Sequence, residues 1–349
     1  MFEEQNFENT EQIKDYTSKI KLFFMRHDEK ENDKTKSDEE VRLTPTGKMR
    51  AKEKAVYDDI NQSMAFGSPR KRTQETASLI MSGKLEEITG TETLEELKEK
   101  LDKDLPLKSG SKIRVDGRLN FEADFTSDYG KKALEAVKNG KYLKFLVEDS
   151  DKLAKEDNNN KSSTYTTQAQ AIASIIQKYY GIAPRFNELV QDESKNYEET
   201  MKRFLGSHQG VLESFLAKLI EKTKGIEERD KFVQILNNQG FDYAEGFDVE
   251  IKNKESGEPT IHISYKKEKD GLDVLEDVPR YAREGWEAIS EGDRERLKWT
   301  GVFFRRQTPG YFMMRIRIPN GISNAAQLRT IAEISKECGK GFADITTRQ

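Results

Sequence analysis

The apolar run Ile20–Met25 (IKLFFM) stops abruptly at Arg26-His27-Asp28. An apolar stretch this short, bounded by charge, reads as a buried strand. Helical patterns follow it at Thr46–Ile60, Thr73–Met81, Thr91–Leu105, Ala133–Leu153, Thr166–Tyr180 and Val211–Lys224. In the third of these, Leu94, Leu97, Leu101 and Leu105 form one apolar face, as packing requires. Phe247–Ile251 and Thr260–Tyr265 read as a late hairpin around Ser256-Gly257. Glu156–Ser163 (EDNNNKSS) reads as a solvated loop. Strands alternating with helices predict an α/β layered domain with a largely parallel sheet.

The chain has 349 residues, enough for two domains that each bury a core. Its 34% hydrophobic content still supports a packed fold despite 35% charged residues, so full disorder is excluded. No apolar run approaches the ~20 residues of a membrane-spanning helix. The start, MFEEQNFENTEQ, is acidic and reads as no secretory leader. One cysteine, Cys338, excludes a disulfide framework, a thiolate zinc site or a cysteine-ligated cluster within this chain. A cytoplasmic location is expected. The net charge of −4 gives no nucleic-acid signature. Up to residue 266 the basic residues are mostly Lys, and beyond it mostly Arg. The two are physically distinct, so a boundary is expected near Lys266–Gly271, dividing the chain into 1–266 and 267–349. Nothing in the sequence indicates an oligomeric state.

His27 follows the first strand, and His208 stands between an apolar stretch and a helix in FLGSHQGVLESFL. Ligand sites of α/β sheets lie just beyond the carboxyl ends of strands, where both would project. A third segment, Gly67–Ala77 (GSPRKRTQETA), enters a helix through Ser-Pro and carries Arg70 and Arg72, a setting that favours an anion. Of its basic residues, Arg70 and Lys71 are expected to be solvated at the helix start. Two imidazoles and guanidinium groups suit the holding of a phosphoryl group. One imidazole attacks phosphorus, the others stabilise charge, and a carboxylic acid protonates the leaving alcohol, with no metal required. His262, flanked by Ile261 and Ile263, reads as a solvent-facing strand residue.

FFMRHDE, Leu43-Thr44-Pro45-Thr46-Gly47, SPRKRTQETA and GSHQG occur in that order. Together they resemble the histidine phosphatase (phosphoglycerate mutase-like) superfamily over roughly residues 20–265. The resemblance implies a three-layer phosphoglycerate mutase-like fold and a phosphorylated small molecule as partner, without nucleic acid or membrane. By the same resemblance, His27 matches the phosphorylated nucleophile, Arg26 and Arg72 the phosphate-binding arginines, and His208 the second pocket histidine. Glu122, in Leu119-Asn120-Phe121-Glu122, is the best match for the proton donor, with Asp124 and Asp116 as rivals. Asp28 and Gln209 stand where the family pattern has Gly. Asp28 is expected to bring bulk and negative charge near the phosphate. The span between Ser82 and Asp116 is a place for a cap over the pocket.

Beyond residue 267, Glu276–Ser290 reads as a helix and Gly310–Pro319 (GYFMMRIRIP) as a strand with Arg315 and Arg317 on one face. Asn324–Cys338 reads as an amphipathic helix and Gly341–Thr347 as a second strand, an incomplete α+β ferredoxin-like half-domain. KEKDGL, Trp286, LKWTGVFFRRQTPGYFMMRIRIPNG and GFADITTRQ closely resemble the N-terminal part of siroheme-dependent ferredoxin-nitrite/sulfite reductases. The resemblance implies that Arg315, Arg317 and Arg348 match arginines lining siroheme and its anionic substrate. Siroheme and a 4Fe-4S cluster belong to the full-length reductases and are not expected here. The leading expectation is therefore a phosphomonoester hydrolase acting through phosphohistidine, fused to a truncated, non-functional reductase fragment. The alternatives are an oxidoreductase related to the reductase half-domain, and a pseudo-phosphatase that only binds phosphorylated ligands.

Overall fold

A computed structural model describes residues 16–54, 60–83, 85–103, 110–159, 161–255 and 257–265. Beyond these it describes 274, 278, 281, 283, 285, 289, 293–294, 297–298, 301–304, 312–315 and 324–338. The chain divides into two compact units, Met1–Lys267 and Glu268–Gln349.

The first unit opens with β1 (Ser18–Arg26), whose residues alternate between its two faces. α1 (Pro45–Glu53) begins with Thr44 accepting from Gly47 N, and Pro45 occupies the first turn. It ends at Glu53, short of the helix expected to reach Ile60. β2 (Ser63–Gly67) leads into α2 (Lys71–Ser82), which is almost wholly buried. α3 (Leu94–Asp102) starts in a Thr93–Glu96 capping box and buries Leu94, Leu97 and Leu101. Leu105 lies outside the described residues. β3 (Ile113–Val115) and the 3-10 turn Gly117–Leu119 follow.

The long helix expected over 133–153 is instead broken. α4 (Asp128–Lys138) stops before Gly140, which has a φ of +65°. α5 (Tyr142–Phe145), a π turn (Leu146–Ser150) and α6 (Asp151–Glu156) then pack a small cluster of Tyr129, Phe145, Leu146 and Ala154. α7 (Tyr165–Gln191) runs well past its expected end and through Pro184. β4 (Thr200–Ser207), α8 (Val211–Lys224), α9 (Ile226–Ile235), β5 (Gly246–Asn253) and β6 (Thr260–Tyr265) complete the unit.

The six strands form one sheet in the order β3-β2-β4-β1-β5-β6. The first four are parallel, and β5 and β6 form an antiparallel hairpin at the edge. Ile20, Leu22 and Phe24 of β1 face a core shared with α7 and α8, whereas Met25 faces a core shared with α1, α2 and α3. Helices therefore cover both faces, giving three layers. Because α3 supplies core, the described part of the 82–116 span lines the sheet face rather than capping a pocket. Of the second unit, the described elements are the antiparallel pair β7 (Val302–Phe304) and β8 (Phe312–Met314), and α10 (Ala325–Cys338). The expected helix 276–290 falls largely outside the described residues, and the strand 341–347 wholly so.

Register fixes where the strands end. Arg26 of β1 pairs with Ser207 of β4, and Gly67 of β2 pairs with Gly206. His27 and His208 are thus level, with Ser68 one residue behind, just past three adjacent parallel strands. α2 presses its first turn onto these ends. A Cβ on Gly206 would lie 2.1 Å from the Thr73 carbonyl oxygen, a contact no side chain can occupy. Gly206→Ala is expected to push α2 off the sheet at a cost of about 1–3 kcal/mol. Faster amide exchange along α2 than in the rest of the unit is the readout.

Candidate active site

His27 is buried, its main-chain N–H donating to the Ser207 carbonyl (2.9 Å). Its Nδ1 lies 2.7 Å from the Asp28 carbonyl oxygen, so Nδ1 carries the proton and donates it. The lone pair is left on Nε2, and Arg72 Nε donates towards that atom at 3.4 Å. Burial first, and then the Arg72 charge, lower the His27 pKa to about 3. His27 is consequently a neutral imidazole with an available lone pair.

His208 packs edge-on to His27, with ring centres 5.3 Å apart. Its Nε2 is 2.8 Å from Ser68 Oγ, leaving Nδ1 buried without a partner. Burial, His27 and then Arg72 hold its pKa well below the ordinary value. Arg26 donates through one terminal nitrogen to the Phe241 carbonyl and lies over the Tyr243 ring, and its buried Nε has no partner. A buried, unsatisfied polar atom demands an explanation. Two such atoms belong to Arg26, the residue before His27, and to His208, whose ring packs edge-on to His27.

Arg72 is 2% exposed and uses every nitrogen. Nε faces His27, one terminal nitrogen donates to the Asp38 carbonyl (2.6 Å), and the other to Asp38 Oδ2 (3.1 Å). Arg70 is not the solvated residue expected from its place at the helix start. Its guanidinium lies over the Phe121 ring at 4.4 Å and bonds Asp38, Asn120 and the Phe121 carbonyl. Lys71 points elsewhere, to Glu40 at 2.8 Å.

Glu122 is exposed, and its carboxylate accepts from the Asn120 amide (2.6 Å). The Glu122 amide donates to Ser163 Oγ and the Glu122 carbonyl accepts from the Ser163 amide, and the ring that packs on His208, at 5.1 Å, is that of Phe121. The residue carried to the histidines is therefore the neighbour of the expected proton donor. Asp116 is bound to Arg118 and Asp124 to Thr126. Asp28 does not crowd the pocket either. Its buried carboxylate turns to α1, where Arg50 Nε donates at 3.1 Å, and to the Glu29 amide. Gln209 donates to the Gln239 carbonyl (3.0 Å). His262 is exposed on β6, opposite Glu250.

Two buried carboxylates brace the site from behind. Glu75 of α2 accepts from Arg42 (2.7 Å) and the Leu43 amide (2.9 Å), tying the chain before α1 to α2. Glu213 of α8 accepts from the amides of Gly210 (2.7 Å) and Phe241 (2.6 Å). Burial raises its pKa to about 7. Sequence reasoning set Arg70 aside as solvated, gave Asn120 and Phe121 no role, and did not single out Asp38. The pairing of Arg70 with Arg72 was a usable signal, whereas Asp38 stands in an acidic run, SDEE, with nothing to single it out. Among the described residues, no group of acidic, His or Cys side chains is arranged to hold a metal ion, and no helix is long and apolar enough to cross a membrane. Of the arginines matched to siroheme contacts, Arg315 lies over the Phe303 ring at 4.4 Å, and Arg317 and Arg348 lie outside the described residues.

The pKa depression of the two histidines has a consequence for stability. Each binds its proton more readily unfolded than folded, so each contributes stability that rises with pH; for His27 that contribution is lost as pH falls from about 6.5 to about 3, and His208 acts in the same direction. Between pH 7 and 4.5 the wild type is expected to lose more thermal stability than the His27→Gln/His208→Gln variant, as followed by circular dichroism.

Comparison with known proteins matches both parts of the chain. Residues 22–106 match the family model "Histidine phosphatase superfamily (branch 1)", and residues 304–349 match "Nitrite/Sulfite reductase ferredoxin-like half domain". A ferredoxin–nitrite reductase of Leptolyngbya laminosa is 54% identical over 85 residues, covering 24% of this chain and 17% of the relative. That of Synechococcus elongatus is 51% identical over 86 residues, with the same coverage. The chain thus spans only 17% of the length of these reductases. Among solved structures, a mycobacterial glucosyl-3-phosphoglycerate phosphatase aligns at a TM-score of 0.40 and 13% identity, covering 72% of this chain and all of that one. The phosphoserine phosphatase of Entamoeba histolytica aligns at 0.34 and 17% identity, covering 71% and 98%. The chain therefore carries a segment that matches the histidine phosphatase superfamily model, in which His27, Arg26 and Arg72 lie, and a later segment that matches the nitrite/sulfite reductase ferredoxin-like half-domain model.

Proposed function

We propose that the first unit is a phosphomonoester hydrolase acting on a phosphorylated small molecule through phospho-His27. The observation that carries this reading is the His27 imidazole, neutral and with its Nε2 lone pair against Arg72. In the first step Nε2 forms a bond to phosphorus, the ester P–O bond breaks, and its electron pair leaves with the alcohol oxygen. In this scheme Arg72, Arg70, Arg26 and His208 hold the phosphoryl oxygens as charge builds on them; the unpartnered Arg26 Nε and His208 Nδ1 support the reading. In the second step water attacks phosphorus, the P–N bond breaks, and phosphate leaves with His27 restored. No metal enters this scheme. Glu122, as placed, is joined to Arg70 only through Asn120. An aryl phosphate, whose leaving group is a weak base, tests the first step without relying on a carboxylic acid.

The Asp28 carbonyl supplies the contact that orients His27, while the Asp28 side chain is neutralised by Arg50. This favours an active site over a disabled one that only binds. All residues invoked lie in the first unit. We propose that the second unit takes no part in the reaction and is a non-functional fragment of a reductase half-domain.

With purified, metal-free protein, p-nitrophenyl phosphate hydrolysis is expected, with loss of at least about a thousandfold in His27→Ala. A phosphoryl label that is acid-labile and alkali-stable should form on the wild type alone. Phosphate binding without turnover or label would instead establish a binding protein. Asp28→Gly is expected to change kcat/KM by less than about threefold, since one glycine carbonyl replaces another main-chain carbonyl.

A further inference from the structure

Asp38 sits where the proposed reaction needs an anion. A single oxygen, Oδ2, accepts from both Arg70 and Arg72. The Arg72 guanidinium that holds it is the one whose Nε faces the His27 lone pair. A phosphoryl group approaching Nε2 would need the same donors for its own oxygens. We propose that Asp38 is a built-in occupant of the anion site, a carboxylate that an incoming phosphoryl group must displace, so that the site admits doubly charged phosphoryl groups and turns away simple carboxylates. The inference rests on the phosphatase reading of Arg70 and Arg72.

The local structure suits displacement. The Asp38 side chain is 47% exposed, whereas the Arg72 side chain it contacts is 3% exposed. The occupant therefore has somewhere to go and its receptor does not. The loop carrying it is anchored at its base, where Lys30 and Leu43 pair and Glu75 binds the Leu43 amide. Its tip is a turn in which Glu40 and Val41 donate to the Ser37 carbonyl. The charged groups facing Asp38 are Arg70, Arg72 and Lys30, the last at 3.5 Å. Partial burial opposes ionisation, but Arg72 and then Arg70 outweigh it, so the carboxyl is held well below the usual range and stays charged at any working pH.

Charge then decides the exchange. Acetate would replace one carboxylate by another and gain little, while paying the entropy of binding from solution. A phosphate dianion brings a second charge and three acceptor oxygens to the same guanidinium groups. The competing possibility is that Asp38 only holds the two arginines in place. The two readings have opposite signs. An occupant present nine-tenths of the time weakens apparent affinity about tenfold, so its removal tightens binding. Removing a brace loosens it.

The test is calorimetric titration of the full chain with inorganic phosphate at low ionic strength, comparing wild type, Asp38→Asn and Asp38→Ala. Phosphate Kd is expected to fall about tenfold in both variants, and acetate should compete with phosphate only in Asp38→Ala. Unchanged or weaker phosphate binding in the variants would overturn the proposal. If the wild type still hydrolyses p-nitrophenyl phosphate in that case, the phosphatase reading survives and only the role of Asp38 falls. If neither wild type nor variant binds phosphate, both fall together.

Discussion

The side-by-side parallel pairing of β1, β4 and β2 is the constraint on which the site depends. These strands are far apart in sequence, and the register that pairs Arg26 with Ser207 and Gly67 with Gly206 brings His27, His208 and Ser68 to within one residue of the same level. Burial then does the chemical work. It strips water from two imidazoles and keeps them neutral, while arginines from the following helix supply the positive charge. A cationic imidazole has no lone pair to offer, so the proposed reaction depends on the same desolvation that builds the core.

Much of this arrangement was legible in the sequence. The IKLFFM run, the helix after GSHQG and the hairpin at 247–265 all appear near the expected places, because apolar periodicity reports burial directly. The leucine face of Leu94, Leu97 and Leu101 gave packing correctly. What failed was finer. The 133–153 helix broke at Gly140, because one positive-φ glycine outweighs a good periodic pattern. Glu122 is matched by resemblance alone; in the fold Ser163 bonds the Glu122 amide through its hydroxyl and the Glu122 carbonyl through its own amide, while Phe121 packs on His208. Asp28 looked like an obstruction because sequence does not show which way a side chain turns. Arg50, twenty-two residues on, decides it. Asp38 was invisible for the same reason: ion-pair partners across a loop leave no local pattern.

The second unit stands apart in kind. Its match to the nitrite reductases is strong over a short length, and its described elements are a small hairpin and a helix.

Glu213 ties together two loops that the chain builds separately. One carboxylate accepts from Gly210, beside His208, and from Phe241, whose carbonyl in turn holds Arg26. Neither loop can shift without dragging the other, so a histidine and an arginine on different strands move as one piece. Insertions or deletions at 209–210 and at 240–241 are therefore not independent events in the history of such a chain. A change of length in one loop would have to be answered in the other.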